Sequence, residues 1–197
     1  LRANAMSVTD EGALDVFITG NITREELEAM GVTVRTALPG IFTAYVPASL
    51  WPRVKERVLA MMSEIRMGDV RDFRNFLGAV IDQRAWDRLT GYLAQARKDP
   101  GVTVLAGGGA SRETGYFVEP TLLQVEDPAY RTMCEELFGP VLTLYVYPDA
   151  RWAETLTLVD QTSPYALTGA VFAQDRRALA EADAALRHAA GHFYVND

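Results

Sequence analysis

Apolar residues recur along this chain at two different spacings, and the switches between them outline its elements. Leu14-Asp15-Val16-Phe17-Ile18-Thr19 has the composition of a short strand, closed by Gly20-Asn21. Thr23, followed three residues later by Glu26, has the spacing of a capping box and opens a brief helix through Met30, which Gly31 stops. Val32 to Thr36 alternates as a second strand, Leu38-Pro39-Gly40 turns the chain, and Ile41 to Val46 forms a third. Together these segments predict a small β-α-β-β unit over residues 1–41 that stands apart from the rest of the chain. At Pro47 the period changes. Ser49 is placed to cap a helix with Pro52 in its first turn, and Trp51, Val54, Val58, Met61 or Met62, and Ile65 recur at helical spacing until Met67-Gly68-Asp69 breaks them.

The alternation of helical and strand patterns continues to the end. A helix after Asp82 carries Trp86, Leu89, Leu93 and Ala96 on one face and ends at Asp99-Pro100-Gly101. Val102 to Ala106 is a β-branched strand entering the turn Gly107-Gly108-Gly109. Tyr116-Phe117-Val118 precedes Glu119-Pro120-Thr121 and a further apolar run. The apolar run 141–147 reads as a strand, then a helix carries Trp152, Leu156 and Val159, and Gly169 to Ala173 reads as another strand. The helix Arg177–Ala190 holds Leu179, Ala182, Leu186 and Ala189 on one stripe, and His192 to Asn196 is a final strand. Strands alternating with helices predict a layered α/β domain over residues 42–197 with a largely parallel sheet.

Composition narrows the function classes. With 49% hydrophobic and 23% charged residues in 197, the chain can bury a substantial core without disulfides or a metal. The net charge of −7 argues against a surface that tracks nucleic-acid phosphates. The one cysteine, Cys134, excludes an intramolecular disulfide and points to a reducing compartment, the cytoplasm being the expectation. No apolar run approaches the roughly 20 residues that span a bilayer, so no membrane role is expected, and the first residues lack a secretory signal's apolar core.

The candidate chemistry lies at Glu135-Glu136-Leu137-Phe138-Gly139-Pro140-Val141, where two carboxylates run into an aromatic, a glycine and a proline. A carboxylate at such a turn can accept hydrogen bonds from sugar hydroxyls, and the aromatic can cover an apolar ring face. This segment resembles the E-E-x-F-G-P-V motif of NAD(P)-dependent aldehyde dehydrogenases. Tyr45 to Pro52, Gly78 to Asp82, Leu105 to Gly108, Gly115 to Thr121, Thr168 to Phe172 and Phe193 to Asp197 follow the family's blocks in order. Together they resemble the catalytic domain of that family, with the Δ1-pyrroline-5-carboxylate (L-glutamate γ-semialdehyde) dehydrogenases of proline breakdown as the most similar branch.

The resemblance implies NAD as cofactor, with Glu136 holding the nicotinamide ribose and Phe138 beside it. It also implies a thiolate that attacks the aldehyde, hydride transfer to NAD⁺, and hydrolysis of the thioester with help from a glutamate. Counting back from Tyr45 without gaps puts Leu38 where the family has its nucleophile, and leucine cannot attack a carbonyl. Cys134 falls about a hundred residues too late and reads as an inert thiol, so no catalytic residue is assigned. The general-base segment, the phosphate-binding turn, the Rossmann half and the substrate-carboxylate loop of that family have no counterpart here. The expectation is therefore descent from a semialdehyde dehydrogenase, with a chain that is catalytically incomplete alone and in which Glu136 marks origin more than a working site. The alternatives are a non-enzymatic assembly or binding module, pairing with itself through an exposed sheet edge, or a fusion of unrelated segments. Asp15 to Pro47 weakly resembles a small unit found ahead of some subtilisin-like peptidases, which places the junction near residues 41–47.

Other features read more plainly. Gly107-Gly108-Gly109 is not followed by a helix with a Lys or Ser, as a phosphate loop requires, and reads as a turn. His188 and His192, four apart, are separated by Gly191 and have no obvious third ligand, so no metal site is expected. Asp69 to Arg74 reads as a solvated loop, and Trp51, Trp86 and Trp152 as helix faces turned toward the core.

Overall fold

Seven strands join in one sheet in the computed structural model, which describes residues 16–18, 43–164 and 166–196. In chain order the elements begin with β1 (Val16–Ile18), β2 (Thr43–Pro47), α1 (Trp51–Glu64), α2 (Gln83–Ala96), β3 (Val102–Ala106), β4 (Ala110–Ser111) and β5 (Phe117–Val118). They continue as β6 (Thr121–Val125), the short α3 (Arg131–Cys134), β7 (Val141–Tyr147), a 3₁₀ turn at Asp149–Arg151, α4 (Trp152–Thr162), β8 (Thr168–Phe172), α5 (Arg176–Leu186) and β9 (His192–Val195). The sheet order is β3-β6-β7-β2-β1-β8-β9, and β4 and β5 form a separate hairpin. Strands β6, β7 and β2 are mutually parallel, and β9 is parallel to β8. Because β1 is antiparallel to both β2 and β8, those two halves point the same way, and the sheet is largely parallel.

Alternation along the strands supplies two core faces. Ala44 and Val46 of β2, Leu122 of β6, Leu144 of β7, and Ala170 and Phe172 of β8 lie on the face that α1 covers with Val54 and Val58. The opposite set, including Tyr45, Val125 and Tyr147, meets Met133 of α3 and the half-buried Trp152 and Val159 of α4. Val171 on that face packs with Leu156, Ala182 and Leu186 of α4 and α5. Leu123 and Val141 pack there with Leu89, Tyr92, Leu93 and Ala96 of α2. The result is a three-layer α/β arrangement. Strands covered on both faces explain why β2 is buried at all five positions rather than alternating with solvent.

Several expectations meet their physical test here. The helix after Asp82 is capped as its sequence suggests, the Asp82 carboxylate accepting from the Ala85 N–H at 2.8 Å. Ser49 does not cap α1, whose N-cap is Leu50 with no side-chain hydrogen bond. Its N–H donates to Asp149 Oδ2 at 3.1 Å and its hydroxyl to Asp149 Oδ1, because a carboxylate brought in from the turn after β7 is the stronger partner. The last helix is shorter than its stripe, ending at Leu186 with Ala189 and Ala190 in the following turn.

The strand expected at Leu14–Thr19 occurs at Val16–Ile18, and the main sheet receives it between β2 and β8. The expected helix at 23–30 and strand at 32–36 lie outside the described residues. Asp69 to Arg74 is the expected solvated loop, with self-contained ion pairs Arg71–Asp69 at 2.5 Å and Arg74–Asp72 at 2.7 Å. The three tryptophans are half-buried and pack at core margins: Trp51 beside the α1 face, Trp86 beside α2 and Trp152 between α4 and α5.

Candidate functional site

The Glu135–Pro140 turn leaves α3 and enters β7, in the middle of the parallel part of the sheet. Its far end is fixed by backbone bonds: the Thr121 N–H donates to Pro140 O at 2.8 Å, and the Val141 N–H to Gly139 O at 2.8 Å. One side of the turn faces α2. Leu137 is buried in the α2 core cluster, and its carbonyl accepts from Arg88 Nη2 at 2.8 Å. At Gly139 any Cβ would press on the Leu89 side chain, with Leu89 Cδ1 only 2.5 Å away. Glycine there lets the turn lie directly on the helix.

Glu135 belongs to the same inner side. The Tyr92 hydroxyl donates to its Oε2, and Arg131 lies 3.1 Å from Oε1. Arg131 stacks over the Tyr92 ring, 4.3 Å from guanidinium carbon to centroid, and donates to Gln95 Oε1 at 2.7 Å. The Tyr92 hydroxyl, and after it the Arg131 guanidinium, hold the Glu135 carboxyl below the usual glutamate range. Burial, reinforced by Glu135, pushes the Tyr92 phenol up.

Glu136 and Phe138 lack such contacts. Glu136 is half-buried and has no hydrogen-bond or ion-pair partner among the described residues. Phe138 is 60% exposed and sits at φ 50°, a left-handed conformation that a bulky side chain adopts only under constraint. A carboxylate with free lone pairs can accept hydrogen bonds from hydroxyl groups, and an exposed aromatic beside it can cover an apolar face. The two residues singled out from the sequence are thus brought together, and they are the members of the turn left without protein partners.

The other candidates have ordinary roles. The Gly108 N–H donates to Thr121 Oγ1 at 2.8 Å and the Gly109 N–H to Glu119 Oε2 at 2.9 Å, so this turn's donors serve the protein rather than a phosphate. Arg97 Nη2 donates to Gly108 O at 2.5 Å. Cys134 is half-buried, its thiol donating to Ala129 O at 3.4 Å. Burial, then Asp127 and Glu135, push that thiol up, the opposite of activation. His188 and His192 are exposed on either side of Gly191, and among the described residues no three His, Cys, Asp or Glu side chains gather as metal ligands. Leu38 lies outside the described residues.

Tyr92, Arg88 and Arg131 are the participants the sequence did not reveal. Arg131 is four residues from Glu135 and could have been found as a helical ion-pair spacing. Tyr92 is 43 residues away and left no local signal.

Residues 41–197 match the sequence profile of the Aldehyde dehydrogenase family. The chain belongs to that family. It is 49% identical over 154 residues to the Delta-1-pyrroline-5-carboxylate dehydrogenase, mitochondrial, of Danio rerio, a stretch covering 78% of this chain and 28% of the relative. The corresponding Homo sapiens protein is 51% identical, with 78% and 27% covered. Among solved aldehyde dehydrogenases, the Delta-pyrroline-5-carboxylate dehydrogenase of Mycobacterium tuberculosis bound with NAD superposes with a TM-score of 0.71 at 43% identity, over 82% of this chain and 28% of that one. The chain therefore spans just over a quarter of the length of these relatives. NAD is the cofactor bound in that solved relative, in keeping with the expectation for the family.

Proposed function

We propose that this chain derives from, and serves as catalytic-domain portion in, NAD-dependent oxidation of L-glutamate γ-semialdehyde to glutamate. The observation that carries this reading is the pair on the turn before β7: a half-buried Glu136 without a hydrogen-bond or ion-pair partner among the described residues, beside an exposed Phe138 held at positive φ. Glu136 would accept from the nicotinamide ribose hydroxyls, and Phe138 would cover the adjacent ring face. Bound NAD supplies the hydride acceptor of the reaction. The identity of about half to pyrroline-5-carboxylate dehydrogenases supports the substrate.

The chain by itself does not complete this chemistry. Counted back from Tyr45 without gaps, Leu38 stands where the family has its thiol, and the only cysteine has its thiol pushed up and engaged by Ala129 O. Purified chain mixed with NAD⁺ and the semialdehyde is expected to give no increase in NADH absorbance. Steady NADH formation dependent on this chain would overturn the reading of incompleteness.

A reducing compartment fits a chain with one cysteine. The cytoplasm is such a compartment, while the animal relatives carry "mitochondrial" in their names. Among the described residues no helix is long and apolar enough to cross a membrane.

Self-association is the second reading, favoured by the sheet ends. β3 pairs only with β6 and β9 only with β8 among the described residues, so each presents an outer edge. Light scattering over a concentration series should show the mean mass rising with concentration. A constant monomer mass throughout would refute it.

A further inference from the structure

We propose that Glu135, the first carboxylate of the pair, is a positioning residue: clamped by Tyr92 and Arg131, it aims Glu136 and Phe138 at the cofactor. This rests on the reading of Glu136 and Phe138 as cofactor contacts given above.

Backbone geometry separates the two carboxylates. Glu135 has extended dihedrals, φ −101° and ψ 139°, and in extended backbone successive side chains point to opposite sides. Fixing Glu135 against α2 therefore sends Glu136 away from it. The contacts then repeat with a period of two. Glu135 bonds Tyr92 and Arg131, Leu137 is buried with its carbonyl on Arg88, and Gly139 lies on Leu89. Three alternate residues of the turn are gripped by one side of α2, at positions 88, 89 and 92. The intervening Glu136 is half-buried with no hydrogen-bond or ion-pair partner among the described residues, and Phe138 is 60% exposed.

The clamp also explains how Phe138 is held. A phenylalanine at φ 50° relaxes unless its neighbours are fixed, and the exposed ring makes no compensating core contact. The fixed neighbours are Leu137 and Gly139. Glu135 secures the entry to this segment, where α3 has only four residues and cannot itself impose a direction. The two adjacent carboxylates thus divide the work: one is spent on the protein so that the other is free for a ligand.

The test uses backbone NMR of the full 197-residue chain, with NAD added to millimolar concentration. Wild-type protein should give a single set of resonances for Glu136, Leu137 and Phe138, with Glu136 and Phe138 shifting as NAD is added. In Glu135→Ala these resonances should broaden or double. If the clamped conformer falls to about a tenth of the population, the apparent NAD Kd rises about tenfold. Glu135→Gln keeps acceptors for Tyr92 and Arg131 and should restore most of both readouts, whereas a residue of merely structural importance would lower the melting temperature without this local signature. Tyr92→Phe removes one hydroxyl and keeps the ring, so it gives an intermediate result and decides the matter if the alanine variant does not fold. Unchanged resonances and NAD response in Glu135→Ala, or in Tyr92→Phe where the alanine variant is unfolded, would overturn the positioning role. Absence of NAD shifts in the wild type, with the turn resonances still doubled in Glu135→Ala, would instead remove the cofactor reading and with it the functional part of this proposal.

Discussion

Replacing Gly107 with alanine is expected to cost about 3 kcal/mol or more, enough to threaten folding of a domain of ordinary stability. Gly107 stands at φ 69°, where an L side chain is already disfavoured, and it ends β3 against the chain that enters β6. A Cβ there would lie 2.9 Å from Pro120 C and 3.0 Å from Thr121 Cα, and nearer still to the Pro120 carbonyl oxygen. These are backbone atoms, and they cannot move aside cheaply. The Thr121 N–H is bonded to Pro140 O and its hydroxyl accepts from the Gly108 N–H, so a shift would reach β6, β7 and the turn before it. Urea unfolding followed by far-UV circular dichroism would read the loss as a lowered midpoint. Gly91 provides the control. It lies in α2 with no atom near its missing Cβ, and alanine there should stabilise by about 0.5–1 kcal/mol. Equal effects at the two positions would refute the steric argument.

Leu89→Ala should destabilise by about 2–5 kcal/mol, the range for truncating a fully buried leucine. Leu89 is 0% exposed and packs in the α2 cluster while also carrying Gly139 of the candidate site. Gly139→Ala alone should cost about 1–3 kcal/mol by overpacking, because its Cβ would press on Leu89 Cδ1, Cδ2 and Cγ. Its φ is not positive, so alanine is permitted by the backbone. The double variant should be more stable than the sum of the single losses predicts, since the new methyl enters the space the leucine leaves. Urea midpoints for the four proteins close the cycle. Strict additivity would mean that the turn does not rest on α2 through this pair.

Much of this architecture was legible because it is written in local periods. Val54 and Val58 on α1, Leu89 and Leu93 on α2, and the apolar run 141–147 each show their element type within a short window, and Asp82 shows its cap. The motif at 135–141 was legible as chemistry, and the structure places its Glu136 and Phe138 on the turn between α3 and β7. Ser49 shows where such reasoning stops. Its spacing is that of a cap, yet its partner is Asp149, 100 residues away.

The sequence by itself determined the family and the alternation of strands and helices, because periodicity, capping and motif spacing act between near neighbours. The resemblance singled out Glu136 as the ligand carboxylate, but only the tertiary structure decided which contacts take up its neighbour Glu135. Those contacts are with Tyr92 and Arg131, and the same turn is set by Gly139 lying against Leu89 and by the left-handed backbone at Phe138. It also placed the three-residue β1 between β2 and β8, joining the two parallel halves of the sheet. Each of these outcomes is set by a contact across the fold. A hydrogen bond or a packed methyl between residues distant in sequence leaves no trace in the local pattern of either partner.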